Sequence, residues 1–143
     1  MADYDSKNAL FGVISQTIAE LTSATNAGAI IDMRGYDSVT WFINAGTITT
    51  GTFTLKMEEG EQPNLSDATV VETKYVVGDL PAISFTSSES DSLKRIGYVG
   101  KSTYARLSLL GASTPQGYFC VNAILGHASN EPTPENWYKN KRL

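Results

Sequence analysis

Side chains able to do chemistry are few in this sequence and far apart. Its single histidine is His127 and its single cysteine is Cys120. A Ser or Cys nucleophile working through an imidazole base would have to use His127, which falls where the last strand-like run gives way to a segment with Pro132 and Pro134. A chance position at a strand end accounts for it better than catalysis does. One thiol allows neither an intrachain disulfide nor a thiolate zinc site, and in the run YFCVNA Cys120 reads as a small apolar residue. One imidazole cannot make a histidine-rich metal centre, and no loop carries the spaced acids of an EF-hand.

Glu58, Glu59 and Glu61 come closest to an acidic cluster. Carboxylate pairs that cleave glycosidic bonds face each other across a cleft from separate elements, whereas these three share one loop end and read as solvated. GYVGKS at 97–102 has the look of a phosphate loop without its spacing or its following helix, and no GxGxxG follows a strand. Tyr36, Tyr75, Tyr98, Tyr104 and Tyr118 are spread over different predicted strands, where most read as boundary core residues; a shared sugar-stacking platform is the functional alternative. The sequence therefore predicts no catalytic residue, no metal ligand and no cofactor, and it reads as a non-enzyme.

The elements that would carry these residues are strands. In GYDSVTWFINAGTITTGTFTLKMEEG, residues 35–60, Val39, Trp41 and Ile43 fall on one face of a first run, and Phe53, Leu55 and Met57 on one face of a second. A Gly- and Thr-rich turn at 46–51 is predicted between them, and the period of two marks half-buried antiparallel strands. Further strands are predicted at 29–33, 69–77, 82–86, 93–99, 104–110 and 118–125, separated by polar, Gly and Pro segments. Residues 10–21 fit a strand or a helical turn, with strand favoured. No periodic stretch is long enough for the crossover helix of a parallel sheet. The expected fold is all-β, an antiparallel sandwich of about eight strands.

Composition agrees with that expectation and narrows the partners. At 143 residues, 41% hydrophobic and 18% charged, the chain has the size of one domain and can bury a core. A net charge of −4, with Lys139, Lys141 and Arg142 as the one tight basic group, argues against direct binding of nucleic acid. No apolar run is long enough to cross a bilayer and MADYDS lacks the parts of a signal peptide, so the expectation is a soluble protein made in a cytoplasm, with no membrane partner. The predicted organisation is an N-terminal arm at 1–11, a sandwich domain at 12–126 and an extended, Pro-containing arm at 127–143. Trp137 and Tyr138 lie in the second arm, where they either fold back on their own domain or anchor on a neighbour.

Three segments in order, GYDSVTWFINAGTITTGTFTLKMEEG, LKRIGYVGKSTYARLSL and YFCVNAILGH with the Pro-containing tail, resemble a family of small proteins encoded in tailed-bacteriophage head modules. The resemblance covers about 28–134. It implies a jelly-roll cement or decoration protein on the outer surface of a virion head, synthesised in the host cytoplasm, that binds the major capsid protein and staples neighbouring capsid subunits. Many members carry a charged, Trp-containing loop after the second strand; Gln62-Pro63-Asn64-Leu65 has no Trp, so that loop's contact is not carried over. Contacts with capsid or with another copy are expected from Tyr4 in the first arm, from Glu61 and Asn64, and from Trp137, Tyr138, Lys139, Lys141 and Arg142 in the second. Self-association into a dimer, with a trimer as second choice, is expected because an open sandwich exposes sheet edges. A tail or fibre module that binds host glycan is the other reading of the same pattern.

Overall fold

The computed structural model describes residues 10–128. The arm candidates Tyr4, Trp137, Tyr138, Lys139, Lys141 and Arg142 lie outside the described residues. Nine strands form one antiparallel sheet: β1 (Phe11–Leu21), β2 (Thr25–Asn26), β3 (Ile31–Asp32), β4 (Tyr36–Gly60), β5 (Thr69–Val70), β6 (Val76–Val77), β7 (Ser84–Phe85), β8 (Leu93–Tyr98) and β9 (Tyr104–Ala128). Among the described residues, helix is confined to short 3₁₀ turns at Thr73–Tyr75, Leu80–Ala82 and Ser87–Glu89. The fold is all-β, and the ambiguous 10–21 segment is a strand. The run at 69–77 is not one strand, because exposed Glu72, Thr73 and Lys74 leave the sheet as a 3₁₀ turn between β5 and β6.

β4 and β9 are each 25 residues long and pair with one another from Tyr36↔Ala128 to Gly60↔Tyr104. The expected turn at 46–51 is therefore corrected: 38–44 and 52–59 are two halves of one strand, as are 104–110 and 118–125. What the Gly- and Thr-rich segment makes is a corner. Register shifts fall between Ala45 and Thr52, Gly51 takes a φ of +80°, and Ser113 and Thr114 on the facing strand sit at +59° and +55°. Bulges of this kind bend a ladder without ending it. The shifts cancel, since Ala45 to Thr52 and Phe119 to Ala112 each cover seven steps, so both halves keep the same faces inward. A methyl group on Gly51 would lie 2.6 Å from the Ala112 carbonyl oxygen and from Pro115 Cα, which leaves room for glycine alone.

Bent at this corner, the open sheet folds over into two layers. The first runs β1, the second half of β9, the first half of β4, β8 and β6. The second has β2 and β3 beside the first half of β9, then the second half of β4 with β5 and β7 at its far edge. Trp41, Ile43, Val121 and Leu125 from the first layer and Phe53, Met57, Leu107 and Leu109 from the second belong to one buried cluster. Phe119 joins them, its ring 4.6 Å from Phe53 and edge-on to Phe85 at 5.3 Å. The inner faces read from the period of two are those the fold buries.

Polar links cross between the layers: Lys94 of β8 donates to the Ser84 carbonyl of β7 at 2.7 Å, and a second link centres on Tyr98. Tyr98, wholly buried on β8, donates its hydroxyl to Glu59 Oε1 at 2.6 Å, and Ser102 donates to the same oxygen at 3.0 Å and through its N–H to Tyr98 Oη at 3.2 Å. Desolvation, and then the bond to Glu59, push the Tyr98 phenol up to about 12.

Candidate functional site

The two outer faces of this folded sheet differ in chemistry. On the second layer, Lys56 and Glu58 of β4 alternate with the buried Leu55 and Met57, and Glu58 stands opposite Arg106 of β9. Arg106 Nη2 approaches Glu58 Oε1 to 2.8 Å and Lys56 Nζ lies 3.4 Å from Oε2. Burial opposes the Glu58 charge, yet Arg106 and Lys56 outweigh it and hold the carboxyl below its ordinary value. Glu58 is shared by the two cations, and the face carries its own polar partners.

The first layer turns a different surface outward. Pairing places Gly12, Ile124, Thr40, Gly97 and Val77 in one row, Ile14, Asn122, Phe42 and Arg95 in the next, and Cys120, Asn44 and Leu93 in a third, with Ile18 against Cys120 and Glu20 beside Tyr118 at the end. Ile18 is 79% exposed, Leu93 62% and Ile14 58%, while Val77 and Tyr118 are also exposed. Strands ~4.8 Å apart with residues ~3.3 Å apart make this face roughly 20 Å on a side, on the order of 400 Å² in projection. Ile14, Ile18, Val77, Leu93 and Tyr118 stand exposed on it among Asn44, Asn122 and Arg95, and such a density of large exposed apolar side chains on one face marks a contact surface. It holds a pocket of about 140 Å³ at the corner end, lined by Ile18, Asn44, Gly46, Tyr118, Phe119 and Cys120.

A second concavity, of about 230 Å³, lies between the β3–β4 turn and the loop before β9, lined by Met33, Arg34, Tyr36, Asp37, Lys101, Ser102 and Thr103. Its polar lining is largely turned inward: Arg34 binds Asp32 through two nitrogens, Ser102 binds Glu59, and Thr103 donates to Glu61.

Glu61 and Asn64 are brought to one exposed loop and held there by its own bonds. The Glu61 and Gln62 amides donate to Asp67, holding that carboxyl below its ordinary value, and Asn64 Oδ1 accepts from Ser66 N at 3.0 Å. Glu59 departs from the solvated reading, because its carboxylate meets buried Tyr98. Tyr36 and Tyr98 are buried, Tyr75 and Tyr104 half-buried and Tyr118 exposed on the apolar face, so the tyrosines share no platform. Cys120 is partly buried on that same face, the boundary position of a small apolar residue on a strand. His127 Nδ1 lies 3.0 Å from Ser38 Oγ across β9 and β4. Among the described residues no carboxylate orients its other nitrogen, and the pair sits exposed at a sheet end.

Sequence reasoning missed the apolar face, although its signal was present. Trp41-Phe42-Ile43 and Ala123-Ile124-Leu125 are unbroken apolar triplets within strands, which mark residues apolar on both sides of a sheet.

No family model matches the chain, and no curated protein matches it either. Among solved structures, one from work titled "Bacillus endospore appendages form a novel family of disulfide-linked pili" aligns with 16% identity and a TM-score of 0.37, over 88% of this chain and 97% of that one. Among the described residues, no helix is long and apolar enough to cross a membrane.

Proposed function

We propose that the protein is a non-catalytic structural subunit of a bacteriophage virion, a cement protein of the jelly-roll type that binds the outer surface of the head and joins neighbouring major capsid subunits. The observation that carries this reading is the set of large apolar side chains exposed, among the described residues, on the outer face of the first layer, set on a body whose two layers share both of their long strands. A subunit that reinforces a shell needs a stiff body and a surface that gains free energy only when its neighbours are in place, and it needs no reacting groups. The β4–β8–β6 half of the face, with Phe42, Leu93 and Val77, is the part assigned to the capsid. Self-association as a dimer accompanies that role.

Co-sedimentation of the purified protein with emptied phage heads tests the reading. Retention on heads that is lost in Phe42→Asp and Leu93→Asp is expected, and failure of the unaltered protein to sediment with heads would overturn it.

A further inference from the structure

We propose that the chain's own segment 129–143 docks on the β1–β9 strip of the apolar face, with Trp137 seated in the pocket beside Ile18, Tyr118 and Cys120. This selects one of the two destinations that the sequence leaves open for Trp137 and Tyr138, and it concerns the free chain, so it does not rest on the virion reading.

Reach, polarity and charge all favour this seat. β9 ends at Ala128, opposite Tyr36 and at the end of the layer where β1 begins, whereas the pocket lies at the other end. From Ala128 back to Cys120 is eight residues of strand, roughly 26 Å at ~3.3 Å per residue. Trp137 follows Ala128 by nine residues, and extended chain at ~3.1 Å per residue covers about 28 Å. Pro132 and Pro134 lack the amide donors of a paired strand, which suits a segment laid across a face rather than added to an edge.

An aromatic anchor followed by cations fits the far end in particular. Glu20 stands beside Tyr118 there, its carboxylate accepting from Gln116 Nε2 at 3.0 Å, and exposed Asp91 donates its backbone N–H to Gly46 O at 3.0 Å, so two acidic residues lie at the pocket's end of the face. Lys139, Lys141 and Arg142 come directly after the aromatic pair and fall at that acidic corner. Phe42, Leu93 and Val77 stay uncovered.

Cys120 is the chain's one cysteine and lines the pocket, so its reaction with a disulfide reagent such as dithiobis-nitrobenzoate reads occupancy in the full-length protein. Trp137→Ala, Trp137→Ala with Tyr138→Ala, and Ile18→Asp are each expected to raise the rate about tenfold, while Trp137→Phe keeps most of the protection. The protection is expected to be independent of protein concentration. Equal rates in all these proteins would overturn the proposal. Protection that fades on dilution together with a sedimenting dimer would overturn it too, assigning the seat to the segment of a second copy.

Discussion

Tyr98→Phe removes one oxygen atom from the interior and tests whether the two layers are joined through it. The hydroxyl is wholly buried, gives a 2.6 Å bond to a carboxylate and receives the Ser102 amide. A bond to a charged group contributes about 1.5–3 kcal/mol and the loss of the acceptor for the half-buried Ser102 amide costs up to about 1 more, while Glu59 keeps its bond from Ser102, so a loss of about 3 kcal/mol is expected. At roughly 4 °C per kcal/mol for a domain of this size, the melting temperature falls by about 12 °C. Urea unfolding should show a lower midpoint with an unchanged slope, because the surface exposed on unfolding is the same. The pH dependence gives a second signature. An unfolded tyrosine loses its proton near 10.0 and Tyr98 in the fold near 12, so between those values the folded state retains a proton that the unfolded state has shed. Stability is full below pH 10 and falls as pH rises through 12. Tyr36, also raised by burial, adds to the same fall, and Tyr98→Phe should flatten the part that belongs to Tyr98. A variant within 0.5 kcal/mol of the parent at pH 7, roughly the scatter of a surface substitution, with an unaltered alkaline limb would refute the reasoning.

Other outcomes follow from the same geometry. Gly51→Ala forces a side chain into the left-handed region and against Ala112 and Pro115, and should cost about 3 kcal/mol in a denaturation curve. Arg106→Met removes the partner that holds Glu58 charged: stability that Glu58 contributes above the ordinary carboxylate range, and loses as pH falls through its lowered value, should shrink, seen as a flatter acid limb with about 0.5–1 kcal/mol lost at pH 7. Leu93→Asp lies on an exposed face and should leave the melting temperature within about 2 °C while reducing head binding.

Much of the fold was legible because the signal is local. Alternation alone placed Val39, Trp41, Ile43, Phe53, Leu55 and Met57 inward, and all are buried. What alternation could not supply is pairing over distance. A segment rich in Gly and Thr has the same composition whether it ends a strand or bends one, and only the ladder to 112–119 makes residues 46–51 a corner. β5 and β7 fall inside runs that the sequence marks as extended, 69–77 and 82–86, and are only two residues long because that is all of each run that pairs with the second half of β4. The site suffers from the same limit. Tyr98 and Glu59 are 39 residues apart and Ser38 and His127 are 89 apart, so neither pair announces itself. Ile14, Ile18, Phe42 and Leu93 each looked ordinary alone, and they become one surface through a register that no single run contains.

The central claim is that this chain serves as a structural part of a phage head. Electron imaging of phage particles decorated with gold-labelled antibody against the protein tests it most directly. The account predicts label over the outer surface of the head in a regular array and none on the tail; label confined to tail or fibres, or particles that carry no label at all, would contradict it.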